Sequence, residues 1–392
     1  MDINENYDLI RKDPYNYILT WADKTLLYTG RHAFRILALM PCSLFLPKVS
    51  LTSTDIKTNI SNFIIAKSGD GKTELSRKLA KLCYNPILRR SITEADLIAT
   101  AYELKLLSIL IEDLSQIANQ TLGYGVIKAI EGIIYEGNID KSTMRDEYTG
   151  EVKGIAFIGI TPEDLDTFSK ELDAGLLSRC TVTFVKLTLE QRKEIREFQH
   201  LRAGDTVFSA DVNLMEEVII DFYEELKMIQ RGKHEEYLKK KFGDNHGRTI
   251  IEPVIGYNIN PDFKRKWLDI LNQVGKRMER NKQEINNRDS LEYYKFLVNI
   301  AFLNIHKRKH INGILEPNEE DHRIAKDLAF ENMRYKWGLP IALRSNRKVR
   351  SLDALEKLLN QGVSEVVKDV LLNISPYSPL LKNQIFDVQE KK

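Results

Sequence analysis

The stretch Ala66-Lys67-Ser68-Gly69-Asp70-Gly71-Lys72-Thr73 decides the fold of this 392-residue chain. It keeps the final Gly-Lys-Thr of the phosphate-binding pattern G-x-x-x-x-G-K-[ST], with Ala66 in place of the first glycine. Two glycines supply flexible backbone, Lys72 supplies a cation, and Thr73 supplies a hydroxyl group. A solvated turn with a stray lysine is the alternative interpretation of the stretch taken by itself.

The sequence on both sides of the loop favours a phosphate site. Residues 61–65 form a short apolar run that predicts a buried parallel strand. Leucines at helical spacing in 74–82 predict an amphipathic helix directly after the loop. Such a helix aims free N–H groups and the positive end of its dipole at a bound phosphate. We therefore predict that Lys72 reaches the β/γ-phosphates of ATP and that Thr73 binds Mg²⁺.

The composition is that of an ordinary globular protein, with 43% hydrophobic and 29% charged residues and a net charge of +2. The length suggests two or three domains, and the net charge excludes a chain that is basic throughout. Three cysteines without C-x-x-C spacing argue against a zinc knuckle or a disulfide framework. The start of the chain is polar and acidic, and no apolar run is long enough for a bilayer. We therefore expect a cytoplasmic protein without a membrane partner.

A second candidate site lies about forty residues after the loop. Residues 105–111 predict a buried strand, and Glu112 and Asp113 follow directly at its carboxyl end, where sites on parallel sheets gather. One carboxylate would orient Mg²⁺ and the other would polarise an attacking water. The usual order in such a pair is Asp-Glu, so the inverted order leaves the two roles open. A strand capped by solvated acids is the alternative.

Two further residues fit the same chemistry. Thr161 follows an apolar strand predicted at 154–160, where a small polar residue can hold the lytic water or sense the γ-phosphate. Arg179 directly precedes an apolar strand at 181–185, a place from which an arginine can reach a neighbouring subunit and stabilise transition-state charge. A surface arginine in an ion pair is the alternative for Arg179.

The order of these elements resembles that of the AAA+ ATPases, in the branch with a pre-sensor hairpin. Within that branch the chain looks most like the minichromosome maintenance (MCM) helicases and their relatives in mobile elements. Three stretches, within about residues 45–335, carry this narrower resemblance: "VIKAIEGIIYEGNIDKSTMRDEYTGEVKGIAFIGITP", "LDAGLLSRC", and "NNRDSLEYYKFLVNIAFLNIHKRK" followed by "LEPNEEDHRIAKDLAF".

The resemblance implies an α/β fold, with a parallel sheet flanked by helices, an α-helical lid and a small C-terminal segment like part of a winged helix. It implies a homo-oligomeric ring, expected to be a hexamer, that hydrolyses ATP with Mg²⁺ and acts on DNA as a motor, helicase or loader. The implied roles are Walker A for Lys72 and Thr73, Walker B for Glu112 and Asp113, sensor 1 for Thr161, arginine finger for Arg179 and sensor 2 for Arg288. MCM proteins have Asn rather than Thr at the sensor-1 position.

Composition and the resemblance together suggest four segments. We expect an N-terminal helical segment at 1–45, an ATPase core at 46–190, a helical lid at 191–338, and a basic linker with a small helical unit at 339–392.

Nucleic-acid contacts are predicted on a hairpin at 137–153, because β-forming residues there flank a turn sequence. In a ring the hairpin would face the pore, where Lys141, Arg145 and Lys153 can contact phosphates. Neighbouring acids dilute this charge, so a solvated surface hairpin is an equal alternative. Three basic clusters, at 239–241, 264–266 and 306–310, are more typical of solvated helix faces.

Two other functions stay open on the sequence. A protein remodeller of the chelatase or MoxR type would have the same hairpin-bearing architecture, and Tyr124 in "LGYGV" is its candidate pore residue. A nucleotide-gated assembly protein with little turnover is the third possibility, since the inverted Glu112-Asp113 pair leaves the hydrolysis rate open.

Overall fold

The computed structural model describes residues 3–51, 54–89, 92–114, 123–142, 147–162, 176, 179–244, 247–280 and 287–344. Arg145 of the predicted hairpin and residues 345–392 of the predicted C-terminal segment lie outside these ranges.

A five-stranded parallel sheet forms the centre of the fold, in the order β4-β5-β8-β3-β9. Two antiparallel hairpins, β1-β2 and β6-β7, and a three-stranded sheet in the order β10-β12-β11 accompany it. The strands are β1 Val49–Leu51, β2 Thr54–Ile56, β3 Asn62–Ala66, β4 Pro86–Arg89, β5 Leu106–Ile111, β6 Asn138–Ser142, β7 Glu147–Glu151, β8 Lys153–Ile160, β9 Thr181–Val185, β10 Gly256–Tyr257, β11 Lys309–Ile311 and β12 Ile314–Glu316.

Helices cover both faces of the central sheet and make up most of the chain after it. They are α1 Ile3–Lys12, α2 Pro14–Leu37, α3 Met40–Ser43, α4 Lys72–Leu82, α5 Glu94–Leu104, α6 Gly123–Glu131, α7 Leu189–Arg202, α8 Thr206–Gln230, α9 His234–Phe242, α10 Pro261–Arg280, α11 Asn287–Leu303 and α12 Glu319–Arg344. A π-helical turn at Gly132–Glu136 continues α6, and a 3₁₀ turn lies at Ile305–Lys307.

The central strands read as continuous apolar runs because both faces of the sheet are buried. In β3, Phe63 and Ile65 point into one hydrophobic cluster, and Ile64 and Ala66 point into the other. This alternation follows from the two-residue period of a strand.

The larger of the two clusters is built from distant parts of the sequence. It combines Trp21 and Phe34 of the N-terminal helices, Phe157 of the sheet, and Phe222 and Phe302 of the later helices. The N-terminal helices, one face of the sheet and the helical region after residue 190 therefore share one core. The smaller cluster fills the opposite face, beneath α5 and α6.

Helix α12 covers the edge strand β9, whose unpaired backbone groups would otherwise be exposed. The buried Asn332 side-chain oxygen accepts a hydrogen bond from the Val182 N–H at 2.7 Å. The Asn332 amide in turn donates to the buried carboxylate of Glu292. This network joins the last described helix to the sheet that carries the predicted phosphate loop, residues 66–73.

The predicted α/β class, with a parallel sheet flanked by helices, is confirmed, and so is the hairpin predicted at 137–153. Helix α12 continues to Arg344, past the boundary that composition suggested at 338. The division into domains, the lid and the AAA+ assignment stay predictions. Within the described part of the chain, no helix has the length and apolar character that crossing a bilayer requires.

Candidate functional site

The predicted phosphate loop joins β3 to α4, the strand–loop–helix order that the sequence predicted. Gly69 and Gly71 have positive φ angles of 86° and 90°, a backbone conformation that strains any residue with a Cβ. Helix α4 begins at Lys72, so its first N–H groups open directly onto the loop. The geometry provides the free N–H groups and dipole end that bind phosphate at a helix N-terminus.

Lys72 is buried and its ammonium group points into the loop. Its Nζ donates hydrogen bonds to the carbonyl oxygen of Ala66 at 2.7 Å and of Lys67 at 3.2 Å. The ammonium is thus held at the end of β3, within the concave loop. The structure therefore places the predicted phosphate-binding lysine inside the loop rather than in solvent.

Glu112 and Asp113 directly follow β5, at the same sheet edge as the loop. Glu112 is 6% exposed, and its Oε1 lies 4.0 Å from Nε of Arg77 in α4. The N–H of Leu114 donates to the carbonyl oxygen of Gly159 at 2.8 Å, which fastens this segment to β8. The carboxylate of Glu112 therefore faces the helix that starts with the phosphate loop.

Gly159 lets the two halves of the site meet. A Cβ on Gly159 would overlap the carbonyl oxygen of Glu112 and would lie 3.3 Å from Cδ of Lys72. The site thus needs a residue without a side chain at this point of β8. Sequence analysis missed this role, although the small residue two positions before Thr161 was the available signal.

Thr161 completes the edge between the two motifs. Ile160 pairs with Ile65 of β3, and β8 lies between β3 and β5, so Thr161 sits between the loop and Glu112. Its residue exposure is 9%. The predicted sensor position therefore lies where its hydroxyl can contact a group bound between the loop and the carboxylates.

The donor set at this edge fits Mg²⁺ bound together with a nucleotide. Thr73 offers a hydroxyl oxygen, and Glu112 and Asp113 offer carboxylates. Mg²⁺ prefers oxygen ligands and is usually held by one or two carboxylates, substrate phosphates and waters. Among the described residues, no group of three or more His, Cys, Asp or Glu is arranged to hold a metal ion.

Asp70 forms an ion pair with Arg192 that the sequence analysis did not predict. The carboxylate of Asp70 is 2% exposed, and Nη2 of Arg192 lies 2.8 Å from its Oδ1. Arg192 belongs to the first turn of α7, whose start is fixed by the Thr188–Gln191 capping box. That capping box was a readable signal for the helix start, but nothing local in the sequence links α7 to the loop.

Arg179 lies at the opposite sheet edge and is paired within its own chain. Its Nη1 is 3.1 Å from the carboxylate of Glu131, and its guanidinium carbon lies 4.5 Å from the ring centre of Tyr135. β9 runs from Thr181 beside Asn62 to Val185 beside Ala66, which separates Arg179 from the loop by at least about 13 Å. Arg179 therefore does not reach the phosphate loop of its own chain.

The remaining predicted site residues lie apart from this edge or beyond what is described. Arg288 is in the first turn of α11, and the side chains of Arg288, Lys141 and Tyr124 lie outside the described residues. Lys141 pairs with Tyr148 across the hairpin. These three assignments stay predictions.

Lys153, one of the predicted nucleic-acid contacts, lies outside the two strands of the hairpin. It is the first residue of β8 in the central sheet, and its Nζ donates to the carbonyl oxygen of Leu46 at 2.8 Å. Burial, with the nearby charges of Lys57 and Lys48, lowers the pKa of Lys153 to about 8. Lys153 therefore lies in the central sheet, just beyond the hairpin strand that ends at Glu151, and its predicted phosphate contact stays a prediction.

Each of the three basic clusters contains at least one residue that pairs with a carboxylate. Lys241 contacts Asp221 at 2.5 Å, Lys266 contacts Glu319 at 3.1 Å, and Arg308 contacts the buried Asp321 at 2.6 Å. The clusters at 239–241 and 264–266 lie on α9 and α10, as expected for solvated helix faces. The cluster at 306–310 differs, because it spans a 3₁₀ turn and the start of β11, and the side chain of Arg308 is only 3% exposed. Comparisons with known proteins found neither a family model nor a curated protein that matches this chain.

Proposed function

We propose that this protein binds and hydrolyses ATP with Mg²⁺, as an AAA+ ATPase. The observation that carries the proposal is the convergence of Lys72 and Glu112 around Gly159 at one edge of a parallel sheet. A phosphate loop, an acidic pair and a polar residue at the ends of three strands are the parts that phosphoryl transfer to water requires.

Each residue has a role in this proposal. The loop N–H groups and Lys72 hold the β- and γ-phosphates, and Thr73 with one carboxylate of the Glu112-Asp113 pair holds the metal ion. A Mg²⁺ ion held by these residues would supply positive charge to the phosphate oxygens. The second carboxylate orients the attacking water, and Thr161 contacts that water or the γ-phosphate. The inverted order leaves the division of labour between Glu112 and Asp113 to experiment.

The proposal includes a second copy of the chain at the active site. Arg179 sits at the far edge of the sheet, so in this proposal it acts on the nucleotide bound by a neighbouring copy of the chain. A head-to-tail contact of this kind closes into a ring, for which the MCM resemblance suggests six subunits. In this proposal, the ion pair with Glu131 holds the Arg179 side chain until a neighbouring subunit binds.

DNA is the proposed substrate, and its support comes from the hairpin β6-β7 and the resemblance rather than from surface charge. The hairpin residues Asn138–Ser142 and Glu147–Glu151 pair in register and contain two glutamates in β7. Because carboxylates pair with residues of each basic cluster, protein remodelling stays a second candidate. A nucleotide-gated assembly protein with little turnover is the third.

The experiment measures ATP hydrolysis by the purified protein with and without single- and double-stranded DNA, at two salt concentrations. Stimulation by DNA that falls with salt supports a DNA motor or loader. Turnover that ignores DNA supports protein remodelling. ATP binding without turnover supports the nucleotide-gated assembly protein.

A further inference from the structure

The phosphate loop contains a carboxylate whose charge is covered by an arginine from outside the loop. Nη2 of Arg192 lies 2.8 Å from Oδ1 and 2.9 Å from Oδ2 of Asp70. The Asp70 side chain is 2% exposed and that of Arg192 is 32% exposed. Nη2 of the guanidinium is therefore held by the loop carboxylate, and part of the Arg192 side chain is exposed to solvent.

The fold places Arg192 beside the loop through strand pairing. Strand β9 pairs along the whole of β3, and Ala66 at the end of β3 lies beside Val185. Thr188 caps the N-terminus of α7 three residues later, and the N–H of Arg192 donates to the Thr188 carbonyl oxygen at 3.0 Å. The first turn of α7 therefore emerges at the same sheet edge as the phosphate loop.

A carboxylate in such a loop opposes the loop's proposed task. Asp70 stands between Gly69 and Gly71, the two residues whose positive φ angles shape the loop. An ionised carboxylate there repels polyphosphate, whereas N–H groups and cations attract it. Burial raises the pKa of Asp70, and the charges of Arg192, Lys72 and Lys67 oppose this shift. Arg192 donates a side-chain hydrogen bond to the carboxylate, and the backbone of Lys67 also contributes a hydrogen bond to it.

We propose that Arg192 is a positioning residue for nucleotide binding. By pairing with Asp70, it cancels the negative charge of the loop and holds the loop open for phosphates. This inference rests on the proposed function, because it concerns the same site. It also makes α7 part of the nucleotide site, although no residue of α7 is buried.

The test compares the affinity for a fluorescent ATP analogue with that for the matching ADP analogue. Arg192→Met should weaken ATP binding at least about 10-fold, because it leaves the Asp70 carboxylate without its cation. The loss should be smaller for ADP, since repulsion grows with phosphate charge. Asp70→Asn together with Arg192→Met should bind within about threefold of Asp70→Asn alone. Arg196→Met, one helical turn further along α7, is the matched control and should bind normally.

The outcomes separate this inference from the proposed function. If the wild-type protein binds neither nucleotide, both are overturned. If the wild-type protein binds ATP and Arg192→Met binds it equally well, the inference alone is overturned. An equal loss for ATP and ADP that the double variant does not restore indicates a purely structural pair and also overturns it. Should Arg192→Met fail to fold, the comparison of Asp70→Asn with the double variant decides the question.

Discussion

The side chain of Lys72 and the backbone carbonyl of Glu112 both lie against one residue, Gly159, where a Cβ would overlap the Glu112 oxygen and fall 3.3 Å from Cδ of Lys72. The two motifs lie forty residues apart in the sequence, and β8 brings them together. The fold thus combines a cation from one loop and carboxylates from another strand at a single sheet edge.

We predict that Gly159→Ala impairs nucleotide binding more than it impairs folding. The added methyl group would overlap the Glu112 carbonyl oxygen and press on Lys72, so the acidic segment or the lysine must move. We expect ATP affinity to fall about 10-fold or more, because such a displacement misplaces phosphate contacts. Isothermal titration with ATP and Mg²⁺ measures the effect.

Gly154→Ala is the control for this experiment. It lies on the same strand at the opposite edge, where the new methyl group would overlap the Ile133 side chain. The control should lower the unfolding temperature and leave ATP affinity unchanged. Equal affinity losses in both variants would show that Gly159 has no special place in the site.

We predict that Arg179→Ala leaves ATP binding intact and lowers kcat by roughly 10³-fold, as expected for an arginine finger. Mixing it with Lys72→Ala protein should restore turnover, since one interface in the mixture combines an intact loop with an intact arginine. The measurement is steady-state ATP hydrolysis across mixing ratios. Glu131→Gln, which removes the partner of Arg179, should keep turnover.

Two outcomes would contradict the role of Arg179 as an arginine finger. If the mixture gains no activity, the shared site loses its support. If Arg179→Ala and Glu131→Gln lower the unfolding temperature alike while turnover stays normal, the arginine is a structural ion-pair residue.

We predict that Glu225→Gln destabilises the protein by about 3–5 kcal/mol, because it leaves buried partners without their charge. The Glu225 carboxylate is fully buried, contacts Arg11, accepts from the Tyr7 hydroxyl at 2.7 Å, and lies 3.0 Å from Nε2 of His234. These contacts join α1, α8 and α9. Urea unfolding measures the change.

Glu224→Gln is the matched control for Glu225→Gln, one residue away on α8. Glu224 is 44% exposed and pairs with Lys227 at the surface, so its loss should cost less than about 1 kcal/mol. Similar midpoints for both variants would contradict the structural role of the buried carboxylate.

We predict that stability falls as the pH drops from about 6.5 to about 4, owing to His322. Burial lowers the pKa of His322 to about 4, and the group is stacked on Phe263 at 4.7 Å and lies 2.6 Å from the Tyr293 hydroxyl. The unfolded chain binds the proton first, so acid favours unfolding by up to about 3 kcal/mol across this window. The charged groups that act on the imidazole are Glu319, Lys326 and Lys266.

Urea unfolding at several pH values tests the His322 prediction. The difference in free energy of unfolding between wild type and His322→Gln should change steadily between pH 6.5 and 4 and stay constant above pH 7. A difference that does not depend on pH would contradict the assignment.

The local parts of the site could be predicted from the sequence because each depends on neighbouring residues. The run before Lys72, the leucines after it, and the strand before Glu112 all fell where the structure has them. The chain also keeps its acids and its loop at strand ends, where parallel pairing brings them to one edge. The hydrophobic pattern and the spacing of residues were therefore sufficient to predict these strands, the loop and the helix.

The long-range pairings could not be predicted in this way. Asp70 and Arg192 are 122 positions apart, and neither residue belongs to a pattern that names its partner. The ion pair between Arg179 and Glu131 and the position of Lys153 in β8 also depend on tertiary packing, which the local sequence does not reveal. The sequence shows a glycine at position 159, but its role depends on the close approach of β5 and α4, which only the structure shows.

The measurement that tests the central claim most directly is Mg²⁺-dependent ATP binding by the wild-type protein and by Lys72→Ala, with Lys81→Ala as the control from the same helix. The account predicts binding by the wild type and by Lys81→Ala, and loss of binding by Lys72→Ala, because Lys72 alone of the two lies inside the loop. Equal ATP binding by Lys72→Ala and wild type would contradict the assignment of residues 66–73 as the phosphate site.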